Sequence, residues 1–148
     1  MSLKQWQDNG WLKPHTTSRQ EIAGLLAIVR RDLADARQDV LSADWQFGIA
    51  YNAALKLCTI LLYAAGYRPA RDLAHYRTLQ ALPLILGSKH KADATYLDRC
   101  REKRNRVEYD CIGGATEANA RELIEFVESL ETEVLAWLRN RHPELYSL

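Results

Sequence analysis

The sequence predicts an all-α protein, an up-and-down bundle of about five helices joined by short links. Three observations carry that expectation. Apolar residues recur at steps of three and four over several long stretches, the period of one helix face. Glycine and proline separate those stretches at Gly66, Pro69, Gly87, Gly113 and Pro143. No segment alternates like an exposed strand, and no Asn-Gly or Asp-Gly hairpin signal occurs.

Residues 1–17 read as a lead-in, in which Trp6, Trp11 and Leu12 can pack on the body while Gly10 and Pro14 break any long helix. Ser18 and Glu21 make a capping-box pattern, a good helix start. Ile22, Leu26, Val29, Leu33, Ala36 and Val40 then form one seam, so a first helix is expected over 19–41. Arg30, Arg31, Asp32, Asp35, Arg37 and Asp39 fall between them, on a solvated face. Ser42 or Asp44 can cap a second helix that runs to residue 65 and stops at Gly66. It is apolar almost all round, with Lys56 its only charge after Asp44, and should be the central, most buried helix. A third helix is expected from Ala70 or Asp72 to Leu86, broken or kinked by Pro83. A fourth covers 96–111 and ends before Gly113 and Gly114. Thr116 caps the last helix, with a seam of Leu123, Val127, Leu130, Val134 and Trp137, and His142-Pro143 ends it. The bundle thus spans 18–142, with a short tail at 143–148.

At 148 residues the chain is one domain, long enough to bury a core. A formal net charge of +1 gives no global basic field, so any nucleic-acid site must be local. The first residues, MSLKQW, contain no apolar signal region, and no uninterrupted apolar run reaches the length of a bilayer span. Cys58, Cys100 and Cys111 are odd in number, widely spaced and helical, the pattern of reduced core thiols in a cytoplasmic protein. No metal-ligand spacing, Walker loop, dinucleotide fingerprint or nucleophile elbow occurs, so no metal and no cofactor is expected.

Arg104 is the most informative residue. Leu97, Cys100, Arg104, Val107 and Cys111 share one helical stripe, which puts an arginine where a leucine belongs. A charge on such a stripe needs hydrogen bonds and counter-charge, since an unpaired buried charge costs several kcal/mol. Arg99, Arg101, Lys103 and Arg106 surround it in the densest basic run of the chain, and Glu108, Tyr109 and Asp110 follow.

Three strings, in this helix order, resemble the HEPN family of small helical domains. They are AYNAALKLC at 50–58 continuing through LYAAGY at 62–67, AHYRTLQAL at 74–82, and KRNRVEYD at 103–110. The resemblance covers about residues 18–140. It implies a bundle that commonly dimerises, with the motif helices of two subunits meeting at a cleft. In active members an arginine and a histidine four to six positions later cleave RNA without a metal. Other members are binding modules, toxins paired with nucleotidyltransferase-type antitoxins, or parts of larger defence proteins. Arg104 matches the motif arginine and Asn105 the polar residue after it. The histidine does not match: the window holds Tyr109, Asp110 and Cys111, with Tyr109 closing the shortest version.

Metal-independent RNA cleavage needs a base for the 2′-hydroxyl, an acid for the leaving oxygen and positive charge on the phosphate. Arg104 can supply the charge through paired hydrogen bonds, and Asn105 can orient it. Tyr109 is a poor base, with an ordinary pKa of about 10. Tyr109 would have to act as an acid or a positioning group, or Glu108 or Asp110 would serve as the base, or His75 would supply the imidazole; the alternative for His75 is a surface or partly buried histidine at a loop–helix junction. The bland reading of Arg104 is a buried ion pair with Glu108, Asp110 or an acid of a second subunit. His90, beside Lys89 and Lys91, is expected to be exposed.

The favoured expectation is an RNA- or nucleotide-associated binding module of a toxin–antitoxin or defence system, a homodimer with its cleft around Arg104. Arg101, Arg104, Arg106, Asp110 and His75 would contact the ligand. The second is a metal-independent endoribonuclease using Arg104, Asn105 and Tyr109. The third is a protein partner of a nucleotidyltransferase with no affinity for nucleic acid.

Overall fold

The computed structural model describes residues 1–109 and 113–146, without the side chains of Glu108 and Tyr109. The described residues form an all-α bundle with one short two-stranded ribbon.

The lead-in is more ordered than its breakers suggest. Ser2 and Gln5 make a reciprocal capping box that starts α1 (Leu3–Asp8), and α1 buries Trp6. β1 (Leu12–Pro14) follows, and later pairs antiparallel with β2 (Tyr67–Pro69), setting Lys13 opposite Arg68. The sequence predicts no strand. Each strand is three residues long and ends in proline, too short for any alternation to register. Trp6 and Leu12 make a small apolar cluster with Leu62 and Ala81, as the lead-in reading requires.

Ser18 caps α2 (Arg19–Ala36) by accepting from the Glu21 amide. The second half of the expected capping box is absent, because the Glu21 carboxylate instead receives His15 Nε2 and Thr17 Oγ1, both at 2.7 Å. Ile22, Leu26, Val29, Leu33 and Ala36 are buried on the predicted seam. Val40 is not: α2 stops at Ala36, residues 37–41 turn the chain, and Val40 is 92% exposed. Asp32, expected on the solvated face, is buried, receiving Asn52 Nδ2 at 2.6 Å and the Arg31 guanidinium at 3.0 Å.

Ser42 caps α3 (Ala43–Ala64), which packs against α2 on one side and later elements on the others. No uninterrupted apolar run of bilayer length occurs, since Asn52 and Lys56 interrupt α3, yet this helix is long and apolar enough to cross a membrane by length and overall composition. Here it is the core: 72% of its most apolar stretch is buried within the bundle. Each fully buried leucine or isoleucine on it contributes about 2 kcal/mol. Gly66, at φ +98°, lets the chain leave α3 in a conformation that a side chain would strain.

The predicted third helix is two, α4 (Ala74–Gln80) and α5 (Leu82–Leu86), broken at Ala81. Pro83 lies in the first turn of α5, where a missing N–H costs nothing. A 3-10 turn, Ser88–His90, leads into α6 (Lys91–Tyr109), which begins five residues before the expected start. That turn folds His90 inward, correcting the exposed reading. His90 is buried, with Nδ1 2.8 Å from Asp93 and Nε2 3.1 Å from Glu133. A reciprocal capping box of Thr116 and Asn119 starts α7 (Glu117–Arg141), whose seam buries Leu123, Val127, Leu130, Val134 and Leu138. The following 3-10 turn, Pro143–Leu145, docks Leu145 in the core, while the Glu144 carbonyl receives Arg19 Nε. Cys58 and Cys100 are buried free thiols, held up at about 12 and about 11 by desolvation; Cys111 lies outside the described residues.

Candidate anion-binding site

α3, α4 and α6 pack against one another, and that mutual contact brings together cations far apart in sequence. Leu97, Cys100 and Val107 bury the predicted stripe of α6. Arg104 shares the stripe but is half-buried, not enclosed. Its guanidinium carbon stands 5.8 Å from the Tyr51 ring of α3, and Nη1 donates to Asn105 Oδ1 at 3.2 Å. One turn earlier Arg101 donates to Asp98 at 2.8 Å and reaches Glu102 at 4.0 Å. Its guanidinium carbon lies 6.0 Å from the Tyr76 ring of α4.

Tyr51 is buried, and among the described residues its hydroxyl has no hydrogen-bond partner. Burial pushes its ionisation well above the ordinary phenol range, against the opposing charges of Arg101 and Arg104. The phenol therefore stays neutral and can donate a proton in a hydrogen bond.

His75 opens the first turn of α4 on the solvent side. Partial desolvation, then the charges of Arg104, Lys56 and Arg101, hold its imidazole below the ordinary 6.5. Lys56, half-buried on α3, has no carboxylate at ion-pair distance among the described residues. His75 thus senses three cations drawn from two other helices, of which Arg101 is already paired with Asp98. Guanidinium groups next to a neutral imidazole and a buried phenol are groups that can hold a phosphate.

The structure thus brings Arg101, Arg104, Asn105 and His75 into one neighbourhood. Arg106 is exposed, and no described contact joins it to them. Tyr109 ends α6, but its side chain, and all of Asp110, lie outside what is described. Lys56 and Tyr51 were not among the predicted site residues. A signal for Lys56 existed, as the lone charge in the second half of an apolar helix. Tyr51 carried none, since a tyrosine in such a helix reads as core.

The segment leading into α7 is held from α3. Asp44 accepts from the Gly113 amide at 2.7 Å and the Ala115 amide at 3.0 Å, bonds that hold its carboxyl below the usual range. The segment that leads into α7 is therefore tied to the start of α3.

The described grooves lie away from the cluster. A groove of about 510 Å³ between α2, α3 and α7, lined by Arg37, Gln46, Arg121 and Glu128 among others, shares no residue with it. Another of about 390 Å³, between α6 and α7, is acidic, with Asp93, Glu122, Glu125 and Glu133 in its walls. Among the described residues no group of three His, Cys, Asp or Glu side chains is placed to hold a metal. Comparison with protein-family models, with curated proteins and with solved structures finds no match to this chain.

Proposed function

We propose that this chain is a HEPN-like RNA- or nucleotide-binding module, with Arg104 at the centre of its phosphate site. One observation carries the reading: three packed helices gather Lys56, His75, Arg101 and Arg104 beside Tyr51, with Asp98 already engaged by Arg101. An anion held among Lys56, Arg101 and Arg104 gains from their summed charge and from the donors of the guanidinium groups. The resemblance in the strings at 50–67, 74–82 and 103–110 supports the remaining parts of the reading. These are a homodimer with a composite cleft, a cytoplasmic setting, and a role in toxin–antitoxin or defence systems.

A specific observation favours a second reading, a metal-independent endoribonuclease. The motif histidine is missing from α6, yet His75 supplies an imidazole from α4, whose ionisation is held down by desolvation and then by its cationic neighbours. A neutral imidazole beside arginine-bound phosphate can accept the 2′-hydroxyl proton. Purified protein should bind single-stranded RNA in chelator, with Arg104→Ala weakening binding at least tenfold. Cleavage that His75→Ala abolishes while RNA binding persists moves the conclusion to the enzyme. A folded wild type that neither binds nor cuts RNA or nucleotide sinks both readings and leaves a protein partner, such as a nucleotidyltransferase, as the occupant.

A further inference from the structure

We infer that the phosphate site continues into a track for single-stranded nucleic acid, running from α6 over α4 to the β1–β2 ribbon. This rests on the reading of Arg104 as a phosphate site, but on different residues. Two independent observations point to it.

The first is an interleaved run of rings and guanidinium groups. Arg101 lies 6.0 Å from the Tyr76 ring; Arg77 lies 5.7 Å from the same ring and 3.8 Å from the Trp11 ring. All four side chains are half-buried, so each keeps part of its surface accessible. Arg77 has no acidic partner among the described residues, and its buried Nε makes no hydrogen bond. Aromatic faces and arginine planes both accept stacked bases, and they do so without regard to sequence.

The second is the ribbon. Its register sets Lys13 directly across from Arg68, both exposed, with no carboxylate at ion-pair distance from either among the described residues. Like charges directly opposite one another destabilise a strand pair. An anion lying between the two would relieve that repulsion. The ribbon adjoins the run of rings, because the Trp11 carbonyl accepts from the Ala70 amide just past β2. Phosphates would lie on Lys13 and Arg68, bases against Trp11 and Tyr76, and the strand would lead towards Arg104.

An intramolecular latch, with Arg77 merely pinning the lead-in to α4, uses the same cation–π contacts. Length and salt dependence separate the two. Fluorescence anisotropy with labelled oligouridylates of increasing length, and matched oligodeoxythymidylates, should show affinity rising with length. Lys13→Gln/Arg68→Gln leaves the core untouched. It should lower the slope of log affinity against log salt by about 1.4, at roughly 0.7 per lost phosphate contact. Tyr76→Ser should lose about tenfold in affinity for the long oligomer and little for the shortest, with Tyr76→Phe close to wild type. Equal gains for both sugars place recognition in phosphate and base, and a gain for RNA alone adds the 2′-hydroxyl. Wild-type length dependence and salt slope in both the double variant and Tyr76→Ser overturn the track and leave the Arg104 site standing. Length dependence that Arg104→Gln preserves and Tyr76→Ser removes supports the track and overturns the Arg104 reading.

Discussion

His75 gives the site a pH signature whose sign follows from its surroundings. Desolvation and the charges of Arg104, Lys56 and Arg101 hold its imidazole below 6.5, so it is uncharged at neutral pH. A bound phosphate offsets those cations and makes protonation easier, so binding takes up a proton and affinity must grow as pH falls. The rise begins near the imidazole's value in the complex and levels off below its value in the free protein, which lies under the ordinary 6.5. RNA affinity measured against pH should increase as pH falls from neutral and level off on the acid side of 6.5. His75→Ala should bind without that increase. An acid-side rise that survives in His75→Ala would assign it to another group. Parts of this site were legible in the sequence and parts were not, for reasons of range. Arg104 stood out because a three/four stripe is local, and one helix suffices to read it. The partnership of His75 with Lys56 and Arg104 joins three helices, and periodicity carries no information about which faces meet.

Among the elements, α4 starts at a cost. Leu73, just before it, adopts φ 56° and ψ 33°, and is 61% exposed. A residue with a β-carbon there is disfavoured by roughly 1–2 kcal/mol, and so exposed a side chain recovers little by packing. Glycine removes the strain but loses about 0.5–1 kcal/mol of its own in backbone entropy. Leu73→Gly should therefore stabilise the protein by about 0.5–1 kcal/mol in chemical denaturation. A loss of stability would mean that the leucine makes contacts its exposure conceals. The strained residue sits two positions before His75 and four before Arg77, so it also sets how α4 presents both. Nothing local announces it, since leucine is an unusual choice for a left-handed turn. Helix bodies were legible by contrast: α3 and α7 follow their caps and seams closely. The misreadings fall at junctions. Val40 continues the α2 seam by spacing but belongs to the turn. His90 sits between two lysines yet faces Glu133 of α7, a contact more than forty residues away. The ribbon joins segments separated by the whole of α2 and α3, which a reading of neighbours along the chain cannot reach.

On the scale of the whole molecule, the net charge of +1 hides a division. Lys56, Arg101 and Arg104 lie where α3, α4 and α6 meet, while Asp93, Glu122, Glu125 and Glu133 line the groove between α6 and α7. That division constrains any homodimer. A two-fold pairing that brings two Arg104 faces together apposes the same patch on both subunits, so it apposes cation to cation. Their repulsion extends about 10 Å at 0.1 M salt and shrinks as salt rises. Dimerisation through this face should therefore strengthen with added salt, and more steeply with a short oligonucleotide that neutralises both clefts at once. A contact from the basic face of one copy to the acidic groove of the next has the opposite sign, because salt screens an attraction. It would also fail to close on itself and would build larger assemblies. Sedimentation equilibrium at low and high salt, with and without oligonucleotide, reads the sign directly. Association promoted by salt and by nucleic acid places the two phosphate sites in one composite cleft. Association that salt dissolves assigns the contact to the acidic groove. A monomer unmoved by salt, concentration or oligonucleotide makes the site the property of a single chain.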